Sequence, residues 1–557
     1  MNVSIRTDDT WTNELMDRLE HDGPWSNWEL MKLSTNIERK MLFQAFRGLQ
    51  APKHLPDFTP LPHQLEVAQQ VVERMNGKAI LADEVGLGKT IEAGLILKEY
   101  MIRGLVKKVL ILAPASLVSQ WAMELNSKFY IPAVAQKKSY VWDQCDVVVS
   151  SLDTAKRQPH KDKIYEQNYD MVIIDEAHKL KNHKTKNYEF AQNLKKKFCL
   201  LLTATPVQNK LEEIFHLVSL LKPGHLGNES IFAENYQTGK STENDQYLKE
   251  LVNKVMIRNR REDTGIEWTK RKVNTHVIEF SKEEQELYDS ILNLKSQYDE
   301  YVTSSFSLLT LQREACSSRE AVYYTLKNML EKEDISERMK ETIHMMLQKV
   351  DQVQTNSKAM KALELIRSIN DKVIIFTEYR ATQLYLQWFL KQHGISSVPF
   401  RGGFKRGKKD WMKQLFQQHA QVLIATEAGG EGINLQFCSH MINFDLPWNP
   451  MRLEQRIGRI HRLGQTDDVH IHNFAVKGTI EEHIMKLLYE KIQLFERVVG
   501  ELDDILTKIE FGKIEDHLTD IFSQSKSEGE MKIKMDNLSS MIDFAREMKE
   551  GEQHATS

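Results

Sequence analysis

The chain has 557 residues, of which 41% are hydrophobic and 27% charged, and its 75 Lys and Arg against 78 Asp and Glu leave a net charge of −3. Such values exclude long disorder and a fibrous fold, and the length exceeds what one hydrophobic core supports, so about three or four folded units are expected. With no basic excess overall, any surface for nucleic acid has to be local.

The four cysteines, Cys145, Cys199, Cys316 and Cys438, lie far apart without CxxC or CxxH spacing, which argues against zinc and disulfides and suits a reducing cytosol. The first residues, MNVSIRTDDT, are polar, and no apolar run approaches the ~18 residues of a membrane span, so a cytoplasmic protein without membrane contact is expected. Residues 1–55 read as a helical extension, with Trp11, Trp25 and Trp28 around a Gly23-Pro24 break. Within a unit expected over 56–265, residues from about 60 to 222 alternate apolar runs with helix-length stretches: AILAD (79–83), KVLILAP (108–114), DVVVSS (146–151), MVIIDE (171–176) and FCLLLTAT (198–205). Runs of this length and composition predict the buried parallel sheet of an α/β domain.

From about residue 223 the alternation is lost and the sequence becomes charged and helical, so 266–350 is expected to form a helical insert or connector. Alternation returns over 351–500 with KVIIFTEY (372–379), QVLIATE (421–427), HMINFDLP (440–447) and VHIHNFAV (469–476), which predicts a second α/β domain. After Gly478, Thr479 and Glu482 offer a capping box ahead of apolar positions from Ile480 to Leu502, a long amphipathic helix. Residues 501–557 are expected to be a helical tail, with linker-like SQSKSEGE at 523–530.

Between the strand AILAD and the helix IEAGLILKEY lies Gly86-Leu87-Gly88-Lys89-Thr90, the context that a phosphate-binding loop requires. Glycines there let successive backbone N–H groups face phosphates, and the helix N-terminus adds partial positive charge. Lys89 can then reach the β and γ phosphates, and Thr90 offers a hydroxyl to Mg²⁺. The position six residues before the lysine, usually glycine, is Asp83. Further on, MVIID ends in Asp175-Glu176-Ala177-His178, two carboxylates at the edge where open α/β sheets bind ligands. Asp175 suits Mg²⁺, held through water, and Glu176 suits orienting and deprotonating an attacking water. His178, His461 and His470 lack companion ligands and are not read as metal sites.

These motifs fall in one ordered set: LPHQLEVAQQV, ADEVGLGKTIEAG, LAPASLVSQW, DEAHKLKN, LTATPVQNKLEEIFHLVSLLKPG, ATEAGGEGINLQ and WNPMRLEQRIGRIHRLGQ. From about residue 60 to 500 the set resembles the Swi/Snf branch of helicase superfamily two, a branch of DNA translocases that carries aspartate where Asp83 stands. The segment ADEVGLGKTIEAG looks most similar to the bacterial RNA-polymerase-associated ATPases of that branch. The resemblance implies two tandem RecA-like parallel-sheet lobes with a helical insert and flanking helices, using ATP and Mg²⁺.

It further implies roles residue by residue. Gln64 would pair with adenine, and Asp83, Glu84, Val85, Gly86, Leu87, Gly88, Lys89 and Thr90 would hold the nucleotide, with Thr90 and Asp175 on the metal ion. Glu176, Asp175, Lys89 and two arginine fingers, Arg459 and Arg462, would carry catalysis. His178, Thr203, Thr205 and Gln455 would couple the phosphate site to the lobe interface. Pro114, Ser116, Ser150, Ser151, Arg401, Gly402, Gly403, Thr426, Gly429 and Gly430 would grip a nucleic-acid backbone without reading its sequence. Arg456, Arg459 and Arg462 recur every three residues, so one helix is expected to place them near one face. Two basic runs, Lys254, Arg258, Arg260 and Arg261, and Lys405, Arg406, Lys408 and Lys409, offer salt-dependent affinity or simply solvated faces.

The function expected from the resemblance is ATP-driven translocation on double-stranded DNA. Only a short stretch separates LQFCSH from QRIGR, leaving little room for a strand-splitting hairpin. Two alternatives stay open: an ATP-switched factor acting on RNA polymerase or another DNA-bound protein, and a strand-separating helicase.

Overall fold

The computed structural model describes residues 10–485 and Lys534, apart from 24, 26, 42–47, 137, 204–210, 231, 233–241, 298–304, 332–336, 405, 427–432 and 448–449. The chain divides into two units, Met1–Leu49 and Gln50–Ser557. The first contains helices Thr10–Glu20 and Trp28–Met41, on which Trp11, Trp28 and Leu33 stand exposed.

In the larger unit a first sheet joins β1 (Lys78–Leu81), β2 (Val109–Ala113), β3 (Ala133–Ala135), β4 (Val147–Ser151), β5 (Tyr169–Asp175), β6 (Lys196–Leu202) and β7 (Met256–Ile257). Its order is β3-β4-β2-β5-β6-β1-β7, every pairing parallel. Strands covered on both faces need apolar side chains on both, which is why β2 reads as an unbroken apolar run and β4 as three valines before Ser150 and Ser151, both strands being buried throughout. Leu81 of β1 and Asp175 of β5 are both in register with Leu202 of β6. The loop after β1 and the carboxylates after β5 therefore open at one sheet edge, on either side of Thr203. The helix Lys89–Ile102 that follows the loop is buried along most of its length. It lies so close to the helix Val118–Phe129 that a Cβ on Gly94 would stand 2.4 Å from the Phe129 ring.

A second sheet joins β8 (Arg271–Ile278), β9 (Val373–Thr377), β10 (Ser397–Phe400), β11 (Val422–Thr426), β12 (His440–Asn443) and β13 (Val469–Val476). Its order is β10-β11-β9-β12-β13-β8, again parallel throughout. The expectation of a helical insert beginning at 266 is corrected here, because β8 pairs along its whole length with β13 and belongs to the second lobe. Its sequence, RKVNTHVI, hides this: β8 is an edge strand and mostly half-buried or exposed, so it lacks an apolar run. Three further strands also escape the sequence pattern. β3 and β7 are too short to leave one, and β10 (SVPF) is an edge strand containing proline.

The helices expected in the middle of the chain are Lys282–Gln297, Ser305–Ser317, Arg319–Leu330 and Glu337–Gln352. Their core, with Leu287, Ile291, Leu309, Leu326 and Ile343, is continuous with Leu446, Val476, Ile480 and Ile484 of the second lobe. The insert is thus built onto lobe two. An ion pair of 2.6 Å between Arg313 and Glu378, and a hydrogen bond from Arg313 to the Leu446 carbonyl, reinforce that seam. The amphipathic helix expected after Thr479 lies outside the described residues beyond Met485, as does the tail apart from Lys534. Among the described residues no helix is long and apolar enough to cross a membrane.

Candidate active site between the lobes

The loop after β1 turns through Gly86 and Gly88, whose φ values of +98° and +97° favour glycine, and the helix begins at Lys89. A Cβ at Gly88 would stand 2.7 Å from Nε2 of Gln64, so the turn also needs the space. Gln64 uses both ends of its amide on backbone: Oε1 accepts from Leu61 N and Nε2 donates to the Leu87 carbonyl, each at 3.1 Å. His63 Nε2 lies at the same carbonyl, also at 3.1 Å. The sequence reading put Gln64 on a base; here it braces the loop while still lining the cleft.

Asp83 is wholly buried, and its carboxylate accepts from the backbone N and side-chain Nδ2 of Asn259, at 2.9 and 3.0 Å. That role, tying the loop to the segment after β7, accounts for a side chain where a loop of this type usually has glycine. Lys89 Nζ donates to the carbonyls of Asp83 (2.5 Å) and Glu84 (3.3 Å). Burial lowers the Lys89 pKa, against the upward pull of Asp83, Glu92, Glu176 and Asp175.

Across the sheet edge, Asp175 Oδ2 accepts from Trp121 Nε1 at 2.9 Å and Oδ1 from Glu176 N at 2.8 Å. Burial and the neighbouring Glu176 charge push Asp175 up to about 6. Glu176 has a left-handed backbone, φ +53°, and its Oε2 lies 3.2 Å from His178 Nδ1. Burial alone would raise Glu176, but His178, Arg459 and Lys89 outweigh it and hold the carboxyl down at about 2.

Lobe two supplies the opposite wall. The helix Pro450–Ile457 carries Arg456 in its last turn and ends before Arg459 and Arg462, so the expectation that the three arginines share one helix face is corrected. Arg456 instead points into lobe two and donates to Asn443 Oδ1 and the Asp445 carbonyl, while Arg459 and Arg462 follow in the turns beyond the helix and line the cleft. Gly458 lets this segment ride directly on the loop, since a Cβ there would stand 2.2 Å from Val85 Cγ1. Burial and Arg459 lower Arg462 to about 10, so it remains charged at neutral pH.

Together these groups enclose a cleft of about 300 Å³, lined by Gln64, Val85, Gly86, Gly88, Lys89, Thr90, Asp175, Glu176, Gln455, Arg459 and Arg462 among others. The lining fits a magnesium nucleotide. Left-handed glycines, a helix start and a lysine already bound to two oxygens suit phosphate, and a hydroxyl and a carboxylate, Thr90 and Asp175, suit a hard cation. Trp121 and Glu124 were missed as functional candidates in the sequence, although Trp121 closes the segment LAPASLVSQW, and Arg261 was read only as part of a basic run.

The residues expected on nucleic acid are less uniform. Ser150 and Ser151 are buried, and Ser151 caps the short helix Leu152–Ala155, accepting from Thr154 N. Pro114 and Ser116 lie in the partly exposed turn after β2, and Thr426 ends β11, buried. Arg401 stacks on Phe404, 4.8 Å from its ring centre, with Lys408 over the same ring at 4.4 Å, and Gly402 and Gly403 turn between them. Thr203 is buried at the end of β6. Thr205, Gly429, Gly430 and Lys405 lie outside the described residues, and so does the side chain of Arg406. Arg261 is buried, which removes it from the basic run at 254–261.

Two family models match the chain, a "SNF2-related domain" over residues 63–321 and a "Helicase conserved C-terminal domain" over 356–464. A Bacillus subtilis (strain 168) protein described as "Uncharacterized ATP-dependent helicase YqhH" is 66% identical over 554 residues, covering 98% of this chain and 99% of that protein. Among solved structures, the "Sulfolobus solfataricus SWI2/SNF2 ATPase core in complex with dsDNA" is similar at 21% identity and a TM-score of 0.40, covering 84% of this chain and 98% of that one. The corresponding ATPase core domain from the same organism is similar at 22% identity and a TM-score of 0.38, covering 85% and 97%.

Proposed function

The chain belongs to the SNF2-related family of nucleic-acid-stimulated ATPases, and from that premise we propose that it hydrolyses ATP between its lobes to move along double-stranded DNA and remodel complexes on it. One observation carries the reading: the phosphate loop and carboxylates of lobe one and the two arginines of lobe two converge on one cleft. In this reading Glu176, ionised at neutral pH, orients water and takes its proton as the water oxygen bonds to the γ-phosphorus and the bond to the β-phosphate oxygen breaks. Lys89, Arg459 and Arg462 lay positive charge on the phosphoryl oxygens as that exchange proceeds. When bound, Mg²⁺ offsets phosphate charge, and Thr90 and Asp175 are the residues that would hold it. Because the arginines and the loop belong to different lobes, the charge-complete site exists only when the lobes meet, and each turnover is tied to their closure.

Support for a duplex track comes from lobe two. Only residues 444–449 separate β12 from Pro450–Ile457, which leaves little room for a strand-splitting element, and Arg401, Phe404 and Lys408 present cations on an aromatic base. Steady-state ATPase without nucleic acid and with single-stranded DNA, duplex DNA or RNA tests the reading, with Glu176→Gln as the control. Duplex is expected to raise turnover most, and Glu176→Gln to abolish turnover while still binding nucleotide. Stimulation only when RNA polymerase is added would favour the switched factor. Unwinding of a tailed duplex would favour a strand-separating helicase.

A further inference from the structure

We propose that Arg261 and His461 form a positioning pair that sets the two arginines of lobe two against the phosphate loop of lobe one, so that their engagement follows the conformation of that loop. The inference rests on the reading that Arg459 and Arg462 act on ATP.

Arg261 follows β7 and has been drawn out of solvent, 9% exposed. On the lobe-one side its backbone N donates to Glu84 Oε2 at 3.0 Å, and its Nη2 donates to the Val85 carbonyl at 2.7 Å. Its Nε lies 3.0 Å from Glu84 Oε1, an ion pair without the alignment of a hydrogen bond. On the lobe-two side Nη1 meets His461 Nδ1 at 2.7 Å, and the guanidinium lies 4.6 Å from the centre of the Trp268 ring.

His461 stands between Arg459 and Arg462 in sequence and is itself fixed on three sides. Its Nδ1 also accepts from Arg271 Nε at 2.9 Å, and its Nε2 faces the Thr269 carbonyl at 2.9 Å. A ring nitrogen met by two guanidinium donors must be the acceptor, which leaves Nε2–H to donate to Thr269. Arg271 continues the chain of contacts to the carboxylate of Glu454, at 2.9 and 3.1 Å, on the helix that leads to the arginines. One guanidinium therefore touches two successive residues of the phosphate loop and, through His461, the segment that carries both arginines. A lysine offers a single point of charge and cannot span these acceptors in three directions. The loop and the segment also meet through backbone, for Leu463 N approaches the Gly86 carbonyl at 3.4 Å.

The test uses the full chain, duplex-stimulated kcat and KM, and mant-ADP as the binding probe. Arg261→Ala and His461→Leu are each expected to lower kcat about tenfold or more, with the mant-ADP Kd changed by less than about threefold. Arg261→Lys, which keeps the charge and the packing stem, should show the same loss. His461→Asn, whose amide oxygen can take the acceptor place of Nδ1, should recover most of the turnover. The double variant Arg261→Ala with His461→Leu should be no worse than the poorer single within about threefold, because both remove one contact. Effects that multiply, a near-wild-type kcat in Arg261→Lys, or loss of mant-ADP binding alongside turnover would each overturn the pair. Arg459→Ala separates the two levels: if it turns over like wild type, the arginine-finger reading fails; if it is slow while both Arg261 variants are fast, the positioning pair alone fails.

Discussion

Asp175 and Glu176 are neighbours in sequence with opposed acidities, about 6 and about 2, and the difference comes from what each faces. Glu176 has His178 and the arginine of the other lobe; Asp175 has burial, a like charge and one indole donor. Removing that donor by Trp121→Phe disfavours the ionised form of Asp175 and raises its pKa further. Wild-type kcat/KM is expected to fall as the pH drops through about 6, because the carboxylate must be ionised to serve a cation, and in Trp121→Phe this fall should begin at higher pH. Superimposable profiles would show that Asp175 does not govern the acid side. Much of this residue chemistry was legible in the sequence, since Lys89, Asp175 and Glu176 sit in motifs whose chemistry depends on local spacing. Arg261 was not legible, because a basic run looks the same whether its arginines face solvent or one turns inward. Only the tertiary approach of His461 distinguishes them.

Among the elements, the insert helices bring a carboxylate into an apolar layer. Glu314 on Ser305–Ser317 is buried, accepts through one oxygen from Thr325 Oγ1 at 2.8 Å, and among the described residues its other oxygen has no hydrogen-bond partner. Burial raises its pKa to about 7 in spite of that bond. The folded state thus holds the proton more tightly than the unfolded chain, and this group's contribution to stability is full below about pH 4.5 and is lost as the pH rises towards 7. Glu314→Gln, which carries no charge at any of these values, is expected to be more stable than wild type at pH 8, on the order of 2 kcal/mol, and no more stable at pH 5. Thermal melts at the two pH values decide it; equal melting of the two proteins at pH 8 would mean that the carboxylate finds solvent. The strands show why element reading succeeds at the centre of a sheet and fails at its margin. β2, β5, β9 and β11 must be apolar on both faces, whereas β8 has an open side and reads as polar linker.

For the whole molecule, β8 decides where lobe two begins. Its whole length pairs with β13, so a fragment starting at residue 351 would leave β13 as a bare edge and strip the insert core from Leu446, Val476 and Ile480. A fragment of residues 266–557 is expected to be soluble with a cooperative melt, and one of 351–557 to aggregate. Comparable melts for both would mean that the second sheet is complete without β8.

The same topology has a mechanical side. All strands of the first sheet precede residue 258 and all strands of the second follow residue 270, so one stretch of backbone joins the two sheets. That stretch contains Arg261 and Trp268, and it is fastened at one end to Asp83 and Glu84 and at the other to His461. It behaves as a short tether spliced into the phosphate loop. In the proposed reading as a motor on DNA, a load pulling the lobes apart would pass in part through residues 258–270 to their anchorage on Asp83 and Glu84, and so to the phosphate loop.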